Sequence, residues 1–151
     1  MSDFEIVDLD TKTVTGLEIR TNNEIEASSK GKIAKAWEET RQVEDPNLPA
    51  AVYTDYSGNQ DDDFSVVIGF INREPHDGER TVEVPAGKYA KFSKTGPIPD
   101  AVLAAWQDVW AAEKSGSLKR AYQADLEFYP NMGQAGVEFD KNALIELYIS
   151  I

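Results

Sequence analysis

The chain has 151 residues, 15 Lys and Arg against 27 Asp and Glu, a net charge of −12 and 41% hydrophobic residues. That length suits one core burying roughly 70% of the surface the unfolded chain exposes, while the acidic field repels phosphate backbones and argues against direct nucleic-acid binding. With no cysteine, disulfides, thiolate metal sites and cysteine nucleophiles are excluded.

The opening "MSDFEIVDLD" lacks the basic-then-apolar pattern of a secretory signal. No apolar run approaches the roughly 20 residues that span a membrane, so the expectation is a cytoplasmic protein. "EIVDLDTKTVTGLEIRT" is strand-like, and residues from about Lys30 to Val43 show helical periodicity before "EDPNLP" breaks it. Two strands follow, "AAVYTDYS" and "FSVVIGFI", separated by the polar turn cluster "SGNQDDD". "NREPHDGER" reads as a surface loop. In "TVEVPAGKYAKFSKTG" Pro85 and Gly87 bend the strand entry. The next helix takes Asp100 as its N-cap, Pro97 and Pro99 barring an earlier start, and ends near "KSGS". "ADLEFYPN" and "LIELYISI" supply the last strands.

The chain repeats itself. "KIAKAWEETR" matches "AVLAAWQDVW", pairing Trp37 with Trp106; "AAVYTDYS" matches "ADLEFYPN", pairing Tyr56 with Tyr129 and Thr54 with Glu127; "FSVVIGFI" matches "LIELYISI". Each half therefore reads as strand, helix, strand, strand, with limits of about 1–73 and 80–151. Neither half has enough strands to be stable alone. The prediction is one α+β domain with pseudo-twofold symmetry, an antiparallel sheet, two main helices packed on it and a central pocket.

Period-two counting puts Glu127 and Tyr129 on one strand face and Leu126 and Phe128 on the other. Glu127 facing water needs no explanation, since strands are often half solvated. Glu127 facing an aromatic interior needs a partner, because an unpaired buried charge costs several kcal/mol. In the final strand Ile145, Leu147, Ile149 and Ile151 share a face that reads as core, opposite Glu146 and Tyr148. The run Asp61, Asp62, Asp63 lacks the ligand spacing of an EF-hand, His76 has no companion ligand, and "GKYAKFSKTG" lacks the spacing of a phosphate loop. No metal or other cofactor is expected.

The ordered set "VPAGKYAKFSKTGP", a helix holding Trp106, "LEFYP" and "IELYISI" resembles the GyrI-like effector-binding domain family. That family includes the ligand domains of AraC-type and MerR-type multidrug regulators, stand-alone proteins and integron-cassette cationic-drug-binding members. The resemblance covers nearly the whole chain. It implies a duplicated architecture with a groove between the repeats where lipophilic cations bind, and a central glutamate that carries over to Glu127. The family's last strand often has proline where this chain has Ser150, which touches the sheet edge rather than the site. There is no room for a DNA-binding module, so the resemblance implies the ligand module alone.

The expected pocket is Glu127 with Tyr129, Tyr56, Trp106, Trp37 and Tyr148. Each aromatic has a plainer role, since tryptophans on an apolar helix stripe are more often core than ligand contacts. The implied function is non-enzymatic binding of amphipathic cations as sensor, sequestering protein or ligand module, with no direct nucleic-acid or membrane partner. One alternative is a gyrase-inhibitor-like interaction of the acidic surface with a basic protein. Another is hydrolysis of reactive electrophiles with Glu127 as general base, although no second acid, nucleophile or metal can be assigned.

Overall fold

The computed structural model describes residues 4–40, 42, 47–58, 62–98, 100–132, 134–138 and 141–151. Where the sequence suggests one long initial strand, there are two: β1 (Glu5–Leu9) and β2 (Lys12–Thr21). They diverge because they pair with different partners, as described below. Next come α1 (Asn23–Glu26), α2 (Ile33–Thr40), β3 (Pro49–Thr54) and β4 (Phe64–Ile71). The second half supplies β5 (Arg80–Val84), β6 (Gly87–Gly96), α3 (Asp100–Ser115), β7 (Asp125–Phe128) and β8 (Ala143–Ser150). β5 and β6 separate at Pro85, which has no N–H for a ladder and whose carbonyl accepts from the Tyr89 hydroxyl at 2.6 Å.

All eight strands form one curled antiparallel sheet in the order β1-β6-β8-β7-β3-β4-β2-β5. The order is symmetrical about the β7–β3 junction: β6-β8-β7 on one side answers β2-β4-β3 on the other. The outermost strands are exchanged, since β1 pairs with β6 and β5 with β2. Each half is thus completed by a strand from the other, which interlocks them.

Curling brings β2 and β4 unusually close at the facing pair Gly16 and Gly69. A Cβ on Gly16 would lie 2.0 Å from the Ile68 carbonyl oxygen, and one on Gly69 would lie 2.0 Å from that of Thr15. Only glycine fits such an approach. Gly69→Ala should therefore lower stability by at least the ~1–3 kcal/mol typical of overpacking, read as a fall in the urea midpoint; an unchanged midpoint would refute this cause of the close approach.

Alternation divides the sheet into two apolar faces. Ala51 and Tyr53 of β3, Val66 and Ile68 of β4, Phe92 of β6, and Ile145, Leu147 and Ile149 of β8 pack toward Ala36 and Trp37 of α2 and Ala105 and Val109 of α3. On the reverse, Val14, Val52, Val67, Val82, Val84 and Leu126 form a second cluster. Ile151, expected in the core, is 46% exposed because β8 ends at Ser150.

The helices also differ in detail from expectation. α2 is shorter than predicted: Lys30 and Gly31 precede it, while Val43 lies outside the described residues. Its first amides are capped from a distance, the Glu26 carboxylate accepting from Lys32 N–H at 3.0 Å and Ile33 N–H at 2.8 Å, which satisfies orphan donors and the helix dipole together. Glu26 is held for this by α1, a single turn that the sequence reading did not anticipate. Asp100 is the first residue of α3 rather than its N-cap, a position where its charge still favours the helix. Pro99 lies outside the described residues. Gly116, with φ 85°, ends the helix in "KSGS". Among the described residues no helix is long and apolar enough to cross a membrane.

Candidate ligand-binding site

β7 lies mid-sheet, with Glu127 opposite Ala51 on one side and Leu147 on the other. That register fixes its face: Ala51 and Leu147 both point toward the helices, so Glu127 does too. Its side chain is 1% exposed. One carboxylate oxygen, Oε1, accepts from Tyr53 Oη at 2.9 Å and Trp106 Nε1 at 3.3 Å, and Oε2 accepts from Tyr129 Oη at 2.7 Å. The donors are neutral. Among the described residues no cationic side chain hydrogen-bonds to Glu127 or forms an ion pair with it.

Burial pushes the Glu127 carboxyl above the usual carboxylate range, and the hydrogen bonds from Tyr129, Tyr53 and Trp106 offset only part of that rise. The same burial, with the neighbouring carboxylate, raises the hydroxyls of Tyr53 and Tyr129 well above the ordinary tyrosine value. Both therefore stay protonated and donate.

Aromatic rings build the walls around this acid. Trp37 meets Tyr129 edge-on at 5.1 Å, Trp106 meets Tyr53 at 5.0 Å, and Tyr53 and Tyr56 lie 5.7 and 5.9 Å from Phe64. Trp110 continues the row beside Trp106 at 6.3 Å. They enclose a cavity of about 550 Å³ between the sheet and the helices, within the range of small-molecule sites. Exposed Leu103 and Glu38 stand at its rim.

A second buried acid lies two residues before Glu127. Asp125 is 0% exposed; its Oδ2 accepts from Arg120 Nη2 at 2.9 Å and Tyr56 Oη at 2.6 Å, and its Oδ1 from the Ser150 backbone N–H at 2.8 Å and Oγ at 2.9 Å. Arg120 neutralises this carboxylate, and it also lines the cavity.

Of the six residues expected at the site, Glu127, Tyr129, Tyr56, Trp106 and Trp37 line the cavity. Tyr148 does not. It packs on the reverse cluster, donates to Glu146 Oε1 at 2.9 Å and lies 5.9 Å from the Lys91 ammonium. Leu147 is the cross-strand partner of Glu127, so its neighbour Tyr148 must point away. Glu146 shares that reverse face and pairs with Lys91 at 3.1 Å. The repeat alignment also slipped by one residue: it matched Thr54 to Glu127, whereas alternation turns Tyr53 to the cavity and Thr54 away. Tyr53, Phe64, Trp110 and Arg120 were all missed, although counting by twos from Ala51 would have found Tyr53. Asp61 lies outside the described residues; Asp63 accepts from Asn22 Nδ2 at 2.9 Å in the turn.

The family described as Cass2, integron-associated effector binding protein, matches residues 5–151. The putative transcriptional regulator protein YobU of Bacillus subtilis (strain 168) is 25% identical over 162 residues, covering 97% of this chain and 96% of YobU. The integron cassette protein VCH_CASS2, from the mobile metagenome of Vibrio cholerae, has a crystal structure that superposes with a TM-score of 0.81 at 25% identity, covering 98% of this chain and 95% of that one. SAV2435, in a structure bound to tetraphenylphosphonium, shares the fold with a TM-score of 0.68 at 16% identity, over 97% of this chain and 92% of that one. The match along nearly its whole length shows that the chain belongs to the Cass2 family of integron-associated effector-binding proteins.

Proposed function

We propose that the chain is a cytoplasmic, non-enzymatic binder of lipophilic organic cations, with Glu127 as counter-charge and the surrounding rings as walls. The observation that carries this reading is a carboxylate 1% exposed, held by three neutral donors and, among the described residues, bonded to no cationic side chain. Such a group carries a desolvation cost that an incoming cation offsets and an anion aggravates. Cation–π contacts with Trp37, Trp106 and the tyrosines each add roughly 0.5–2 kcal/mol and are nearly indifferent to ligand shape. Tetraphenylphosphonium on the same fold in SAV2435 supports this ligand class.

Binding is favoured over hydrolysis because the second buried acid, Asp125, is already neutralised by Arg120 and so cannot serve Glu127 as the partner acid that protonates a leaving group. In that role the domain acts as sensor, sequestering protein or ligand module.

Calorimetric titration with a lipophilic trimethylammonium compound and its neutral tert-butyl isostere tests the reading. The cation should bind saturably and at least about tenfold more tightly, since the two differ only in charge and a buried charge pair is worth more than 1.4 kcal/mol. Equal affinity for both would refute it.

A further inference from the structure

Two residues before Glu127, behind the cavity wall, lies a second buried carboxylate, Asp125, whose cation, Arg120, belongs to the protein and lines the cavity. Asp125 and Glu127 share a face of β7, and two residues at ~3.3 Å rise each set their backbones about 7 Å apart. Arg120 Nη2 donates to Asp125 Oδ2 at 2.9 Å. Its guanidinium lies 4.3 Å from the Tyr122 ring, 5.6 Å from Tyr56 and 5.7 Å from Trp106. A carboxylate met by tyrosine hydroxyls and aromatic faces is also what Glu127 presents. Trp106 belongs to both sets, its Nε1 on Glu127 and its ring beside Arg120.

Arg120 occupies this seat without being fully satisfied by it. Its side chain is 2% exposed, yet Nε has no hydrogen-bond partner among the described residues. It comes from the connection between α3 and β7 rather than from a strand or helix, so its place is set mainly by the charge and rings it meets.

We propose that Arg120 determines the charge number of the ligand: it is a built-in cation filling the second of two adjacent cation subsites, and it restricts the cavity to ligands with one cationic centre, at Glu127. The inference rests on the reading of the cavity as a cation site. A dication with centres spaced like the two carboxylates would bring its second charge against the guanidinium. Removal of Arg120 frees Asp125 and converts the cavity into a dication site.

The test compares benzyl viologen, a rigid dication of about that spacing, with the monocation N-benzyl-4-phenylpyridinium by calorimetry. Wild type should bind the monocation at least as tightly as the dication. Arg120→Met should raise the ratio of dication to monocation affinity at least about tenfold, because the second charge gains a buried partner. The double variant Arg120→Met/Asp125→Asn should return the ratio to that of wild type.

Because Arg120→Met leaves a buried carboxylate unpaired, Arg120→Ala is examined in parallel with millimolar ethylguanidinium. Its Tm should rise with that ion, while wild type and Arg120→Ala/Asp125→Asn should not respond. An unchanged affinity ratio in folded Arg120→Met overturns the inference, as does an Arg120→Ala protein that ethylguanidinium neither stabilises nor restores. If wild type binds neither aromatic cation, the cation-site reading itself fails, whereas the ethylguanidinium response still reports on the Asp125 seat.

Discussion

Glu127→Gln should weaken binding of a lipophilic cation by about 30- to 1,000-fold, the ~2–4 kcal/mol lost when one member of a buried charge pair is removed. The substitution keeps the volume of the side chain and an acceptor oxygen. Its new amide donor faces a hydroxyl that can rotate to accept, since Tyr53 and Tyr129 each carry a donor and acceptor on the same oxygen. The fold should therefore persist, as near-ultraviolet circular dichroism would report. Affinity for the neutral tert-butyl isostere should change little, because its contacts are with the rings alone. The contrast between the two ligands separates loss of counter-charge from damage to the cavity. A Glu127→Gln protein that binds the cation as tightly as wild type would remove Glu127 from the site.

The residues that were legible in the sequence are those fixed by local periodicity. Alternation in "ADLEFYP" put Glu127 and Tyr129 on one face, and the helical repeat turned Trp37 and Trp106 inward from the two helices; all four line the cavity. Periodicity within a strand is silent on which face of the sheet a strand presents. That depends on register, and the Glu127–Leu147 pairing that turns Tyr148 away is a contact between strands. The exchange of β1 and β5 was illegible for the same reason, since it joins segments roughly 65–85 residues apart. Arg120 was hidden differently. It lies in a segment without regular structure, and only the fold brings its guanidinium to Asp125 and three aromatic rings.

The two exchanged edge strands also bear on how the site is held. Glu127 lies on β7 and Tyr53 on β3, so the hydrogen bond between them crosses the pseudo-twofold junction. On the proposed reading, that interlocked junction keeps the rings around the acid in place before any ligand arrives. Preorganisation of this kind lowers the ordering cost of binding, which suits a cavity whose contacts are dominated by rigid aromatic side chains.

Tyr129→Phe should make cation binding markedly more sensitive to acid. The Tyr129 hydroxyl donates to Glu127 Oε2 at 2.7 Å and is the largest influence opposing the rise that burial imposes on the carboxyl. Without it the carboxyl titrates higher still, because a hydrogen bond to the charged form is lost. The sign follows from the protonation state that binds. Only the carboxylate attracts a cation, so affinity is lost as pH falls through the raised value, and in Tyr129→Phe that loss begins at higher pH. Stability of the unliganded protein moves oppositely: with the folded value above the unfolded one, the folded state holds the proton more tightly, so stability declines as pH rises through that window. A cation added above the window should recover what ionisation costs. Affinity and unfolding free energy measured from pH 4 to 9 in wild type, Tyr129→Phe and Glu127→Gln would decide the matter. Glu127→Gln should lack this dependence in both quantities, while an affinity profile of Tyr129→Phe superimposable on that of wild type would show that the tyrosine does not tune the acid.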